Sequence, residues 1–170
     1  MGVQLQVEWD LQDHGWAVCR ISEGPAKVNL SVSYCTDGLA DLLSSIGSLY
    51  GTSQTARFFF DSEPTEIRWV LRNRGADVGV SIYSFPDVAI SPDLPDGDGR
   101  LLWAGTQSRS QLAHVVAEAA QRVLREHGED GYLAKWAMHP FPVAILQDLR
   151  RLHLRHDRCD LAHDMTVPPK

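Results

Sequence analysis

The chain has 170 residues, 44% hydrophobic and 22% charged, proportions that fit a globular protein and exclude collagen-like or broadly disordered architecture. Twenty-two acidic against 16 basic residues leave a net charge of −6, which repels a phosphate backbone, so nucleic acid is not an expected partner. No apolar run approaches the roughly 18 residues of a membrane helix, and Met1-Gly2-Val3-Gln4 lacks the basic-then-apolar pattern of a secretion signal; the expectation is a cytoplasmic protein with no membrane partner.

Val3, Leu5, Val7 and Trp9 alternate with Gln4, Gln6, Glu8 and Asp10, the period of a strand with one dry and one wet face. Trp16 to Ile21 forms a second candidate strand, and Glu23-Gly24-Pro25 supplies a turn before Val28, Leu30, Val32 and Tyr34 alternate in a third. Such short links predict an antiparallel meander. The period then changes to 3.6: Leu39, Leu42, Leu43, Ile46, Leu49 and Tyr50 share one stripe of a helix that Thr36 or Asp37 caps and Gly51 stops.

Residues 56–61, 67–72 and 78–85 read as further strands, joined by segments rich in turn formers. Pro86 to Gly99 holds four aspartates, three prolines and two glycines with no basic residue, the composition of a long exposed loop, and Arg100 to Ala104 follows as a short strand. A helix from about Ser108 to His127 carries Leu112, Val115, Val116, Ala119, Ala120, Val123 and Leu124 on one face and ends at Gly128. Its stripe is expected against Ile67, Trp69 and Leu71, with Gln121, Arg122 and Arg125 toward water. Glu129 to Met138 reads as a short helix, and Pro140 opens another bearing Ile145, Leu146, Leu149 and Leu152. The expected fold is α+β: a two-layer sandwich, with an antiparallel meander sheet covered on one face by helices, in the order three strands, helix, four strands, two or three helices. It forms a single domain over residues 1–156, followed by a polar, frayed tail over 157–170.

No phosphate loop, GxGxxG fingerprint, GxSxG elbow or HExxH pair is present, and Asp96-Gly97-Asp98-Gly99 departs from the EF-hand template at Arg100 and Leu101, which leaves it a solvated acidic loop. The cysteines are odd in number and lack a CxxC pair; Cys19 and Cys35 read as small buried hydrophobes in strands. His153, His156, Cys159 and His163 follow one another at spacings of 3, 3 and 4. Four ligands on one helix cannot surround a tetrahedral ion, so the segment is read as solvated, with no metal and no cofactor expected. Glu63 and Glu66 flank the tip of a hairpin near Arg57 and Arg68, where exposed cross-strand pairing is the ordinary arrangement. Five tryptophans are expected mainly in the core, and Tyr132 with Trp136 stands at helical i, i+4 spacing. Glu63, Glu66, Arg68, Trp69, Tyr132 and Trp136 are the candidate residues for binding a ligand or partner.

Gly15-Trp16-Ala17, Ser33-Tyr34-Cys35-Thr36-Asp37 leading into Leu39-Ala40-Asp41-Leu42-Leu43, Phe60-Asp61-Ser62-Glu63-Pro64 with Arg68-Trp69, Glu126-His127-Gly128-Glu129 with Gly131-Tyr132 and Trp136, then Phe141-Pro142, occur in an order that resembles a group of small uncharacterised actinobacterial proteins. The resemblance spans roughly Val7 to Leu152 and implies one compact domain without implying a reaction. The functional expectation is a non-enzymatic interaction module, immunity-like or regulatory, that engages a protein partner. The alternative is a small-molecule binder or an enzyme with its site near the Glu63/Arg68 hairpin. The oligomeric state is left open.

Overall fold

The computed structural model describes residues 2–166 and Pro168. The chain runs through strands β1 (Leu5–Leu11), β2 (Trp16–Glu23) and β3 (Ala26–Ser33), helix α1 (Gly38–Ser48), and strands β4 (Thr55–Ser62), β5 (Thr65–Arg74), β6 (Asp77–Phe85) and β7 (Arg100–Ser108). Helices α2 (Arg109–Trp136) and α3 (Val143–His156) complete it, and a 3-10 turn at Asp96–Asp98 interrupts the loop before β7. The class is α+β with helices packed on sheet, as expected. The meander, however, is two antiparallel sheets, β1-β2-β3 and β4-β5-β6-β7, because α1 occupies the chain between β3 and β4. No helix among the described residues is long and apolar enough to cross a membrane.

One apolar core runs through both sheets and all three helices. Leu5, Val7, Trp9 and Leu11 of β1 are buried at every second position, as a period of two dictates, whereas Val3 lies before the strand and is exposed. Strand β5 departs from alternation. Glu66 to Leu71 are buried without a break, since the core covers the face of Ile67, Trp69 and Leu71, and residues Ser91 to Asp96 fold over the face of Glu66 and Arg68.

Strand β7 runs four residues beyond Ala104 to Ser108, whose hydroxyl then caps α2 by accepting the amide of Gln111 at 3.0 Å. Helix α2 breaks its helical geometry at Gly128 (φ 67°, ψ 174°), a conformation that suits glycine, and resumes from Glu129 to Trp136. Its apolar stripe does not pack chiefly on β5. It lies against β1 and α3, since the inner face of β5 is occupied by Trp69 and its aromatic neighbours Phe58 and Phe60. Gln121, expected on the wet face, is buried, and its side-chain amide donates to the carbonyl of Thr166. The segment after α3, expected to fray, lies along α2 and α3: Arg150 donates to the Asp164 carbonyl, Arg125 pairs with the Asp164 carboxylate, and the Asp164 amide donates to Glu118. Its carbonyls and carboxylates complete donors on two helices, which a composition-based reading of a polar tail does not register.

Candidate functional site

The β4–β5 hairpin sets Glu66 and Arg68 two residues apart on one face of β5, beneath the loop that precedes β7. The Arg68 guanidinium donates through Nε to Glu66 Oε2 (2.7 Å), through Nη1 to the Leu94 carbonyl (2.7 Å) and Asp96 Oδ1 (3.2 Å), and through Nη2 to Glu66 Oε1 (3.3 Å) and the Ser91 carbonyl (2.8 Å). An arginine has five N–H donors, and all five are used. The Phe85 ring lies 4.2 Å beneath the guanidinium carbon. Asp96 also takes Arg57 Nε at 3.0 Å, and Ser91 Oγ donates to Glu66 at 3.2 Å. Burial pushes the Asp96 carboxyl up, but hydrogen bonds and charges from Arg57 and Arg68 outweigh it and hold the group below its ordinary range. The acidic loop is therefore not solvated at Asp96. It is clamped onto the sheet.

This arrangement corrects the reading of the hairpin as an exposed charge pair. Glu66 and Arg68 are buried in an ion pair, and with every Arg68 donor committed the pair offers nothing to a ligand. Glu63 stays exposed at the tip, where it accepts the Cys35 thiol at 3.0 Å. That bond, weighed against an opposing one from Ser33, keeps the Cys35 pKa above that of a free thiol, the reverse of what a nucleophile needs. Cys35 is itself exposed just beyond β3, so only Cys19 fits the expectation of a buried strand cysteine. Trp69, Tyr132 and Trp136 are wholly buried and cannot touch a ligand at the surface. Among the described residues the Tyr132 hydroxyl finds no hydrogen-bond partner. Tyr132→Phe is accordingly expected to leave stability unchanged or raise it by about 1 kcal/mol, since it removes an unpaired polar atom while keeping the ring; a denaturant melt showing a loss of similar size would reveal a partner for the hydroxyl. Among the candidates, Glu66 and Arg68 line a surface groove. It measures about 520 Å³, with walls of Arg57, Phe58, Phe59, Pro92, Leu94 and Pro95 above a floor that includes the Arg68–Asp96 pair.

A second cluster forms at the far end of the helices. Helix α3 ends at His156, so Cys159 and His163 leave the helical path and return toward α2. There His114 of α2, His153 of α3, Cys159 and His163 present ligand-type atoms that all lie within 4.8 Å of one another. This corrects the premise of four ligands on one helix. His156 is not among them, its ring lying beside Tyr50, and His114 takes that place from a different element. The sequence reading missed His114 because its partners are 39 or more positions away and a lone histidine between Leu112 and Val116 looks like part of a helix surface.

Compared with protein-family models, with curated proteins and with solved structures, the chain finds no match.

Proposed function

We propose that this chain is a non-enzymatic cytoplasmic module, immunity-like or regulatory, that docks a protein partner on the face built by the loop at 86–99 and the start of β7, and that it belongs with the actinobacterial group its motifs resemble. The observation that carries the reading is the clamp: one buried guanidinium fixes the carbonyls of Ser91 and Leu94, so a 14-residue loop is held in one shape with Ile90 and Leu94 out in water. Leu101, just after it, is also exposed. A preorganised loop presenting apolar side chains lowers the entropy cost of association. Exposed Asp93 and Asp98 lie in the same segment, which suits a partner surface with an apolar centre and a basic rim. The groove volume falls in the range of small-ligand sites, the one feature favouring the alternative of a small-molecule binder or enzyme, but the committed donors of Arg68 leave it little to orient a polar substrate with.

Leu94→Asp and Leu101→Asp are expected to change stability by less than about 0.5 kcal/mol, because both side chains already face water. Each is expected to abolish capture of the partner that a photo-reactive side chain at position 90 cross-links in cells. Cross-links that survive both substitutions, or that map to the opposite face, would overturn the reading.

A further inference from the structure

We propose that His114, His153, Cys159 and His163 form a zinc site that fastens the C-terminal segment to α2 and α3. Three imidazoles and one thiol are the donor set of tetrahedral zinc, while calcium and magnesium, which take oxygen ligands, find none of the chemistry they need. An ion with zinc's bond lengths holds its ligands about 3.3–3.7 Å apart. Cys159 Sγ and His114 Nδ1 stand at 3.8 Å, and the whole set lies within 4.8 Å, so side-chain torsions close the remainder.

The hydrogen bonds around the cluster support an ion and argue against ordinary packing. His153 is fully buried, and its Nδ1 donates to Asp157 Oδ2 at 2.9 Å, which fixes the tautomer and leaves the Nε2 lone pair toward the other ligands. Asp157 is held in turn by Arg109 Nη2 at 2.9 Å and by the Tyr50 hydroxyl. This carboxylate–histidine arrangement is what orients a metal-ligating imidazole. His153 Nε2 and both ring nitrogens of His163 are buried and make no hydrogen bond among the described residues, a costly state for polar atoms that a metal bond relieves. Glu118 Oε1 lies 3.8 Å from His163 Nδ1, placed to take the second nitrogen once the first binds metal. Cys159 binds as the thiolate and releases its proton to solvent. Four protein ligands fill a tetrahedron, so the site holds structure and leaves no position for a substrate.

The test uses the full chain, stripped with a chelator and dialysed. Zinc(II), followed by calorimetry, is expected to bind at one equivalent and to raise the melting temperature until that equivalent is reached. Cobalt(II) is expected to give intense tetrahedral visible bands and a thiolate-to-cobalt charge-transfer band. Cys159→Ser should abolish the charge-transfer band, and His114→Gln should lower the affinity more than Asp157→Asn, for which a loss of about 10–100-fold is expected with the tetrahedral spectrum retained. His156→Ala, adjacent in sequence but outside the cluster, should bind as the parent does, and its circular dichroism serves as the folded reference. The proposal fails if the parent takes up no stoichiometric zinc, if cobalt gives a weak six-coordinate spectrum, if uptake survives both His114→Gln and Cys159→Ser, or if His156→Ala costs as much as His114→Gln.

Discussion

Replacing Arg68 with alanine is expected to cost about 3–5 kcal/mol of stability, the range for breaking a buried ion pair by removing one partner. Glu66, buried beneath the loop, would keep only Ser91 Oγ as a side-chain donor, the Leu94 carbonyl would lose its Arg68 donor, and the Ser91 carbonyl would be left with the Leu94 amide alone. The loss is local in a recognisable way. With its anchor gone, the 86–99 loop should exchange amide hydrogens and admit protease faster than the rest of the chain, while β5 and β6 keep their pairing. Arg68→Lys should recover little, because an ammonium has three donors and no planar fork to span a carboxylate and two carbonyls. Arg72, more exposed and 3.8 Å from Asp96, provides the contrast: Arg72→Ala should change stability by less than about 1 kcal/mol. The clamp also has a pH signature. Asp96 titrates lower in the folded chain than in the unfolded one, so its contribution is present above the ordinary carboxylate pKa of about 4 and is lost as pH falls through the lower folded value. A melt series from neutral pH downward should lose stability in that acid window in the parent and less of it in Asp96→Asn. Equal acid sensitivity in the two would remove Asp96 from the clamp.

The parts of this fold that were legible are those where one residue and its near neighbours decide the outcome. Alternation in Leu5 to Leu11 and the 3.6 period of Leu39 to Ile46 each bury a continuous face, and the element order followed from them. Gly128 punctuates α2 because only a glycine enters that backbone region freely. The illegible parts depend on what distant chain lays on top. Arg68 and Gln121 occupy positions that their own elements assign to water, and each is buried because a later segment, the loop at 91–96 or the residues around Thr166, comes to rest on it. The division of one meander into two sheets is another long-range outcome, set by where α1 sends the chain. The histidine cluster shows the same limit most clearly: spacing within 153–163 could be weighed from the sequence, but the ligand that changes the geometry, His114, is contributed by another helix.

Trp9→Ala is expected to cost about 3–5 kcal/mol, a large share of the roughly 5–15 kcal/mol that holds a domain of this kind, because this buried side chain packs where both sheets and α2 meet. Among the described residues no hydrogen-bonded ladder connects the two sheets. Trp9, on β1, meets Phe60 of β4 edge-on at 5.7 Å and Trp136 of α2 at 6.2 Å. Phe60 in turn meets Trp69 at 5.7 Å, and Trp69 stacks on Phe58 at 5.3 Å. A row of rings thus runs from α2 through the first sheet into the second, in the offset and edge-to-face geometries that aromatic quadrupoles favour. The Trp9 indole N–H makes no hydrogen bond among the described residues, so Trp9→Phe should forfeit contact area but no polar partner and should cost clearly less than Trp9→Ala. The coupling is measurable by itself. In a double-mutant cycle of Trp9→Ala with Phe60→Ala, the interaction energy should be about 0.5–1.5 kcal/mol, whereas Trp9→Ala with Arg72→Ala, whose side chain faces Asp96 at the surface, should be additive within about 0.5 kcal/mol. Additivity in the first pair would mean that the sheets are fastened elsewhere. Denaturant melts give the last discrimination: the parent should unfold in one transition, and separation into two transitions in Trp9→Ala is the outcome that would identify this ring as the link making both sheets a single cooperative unit.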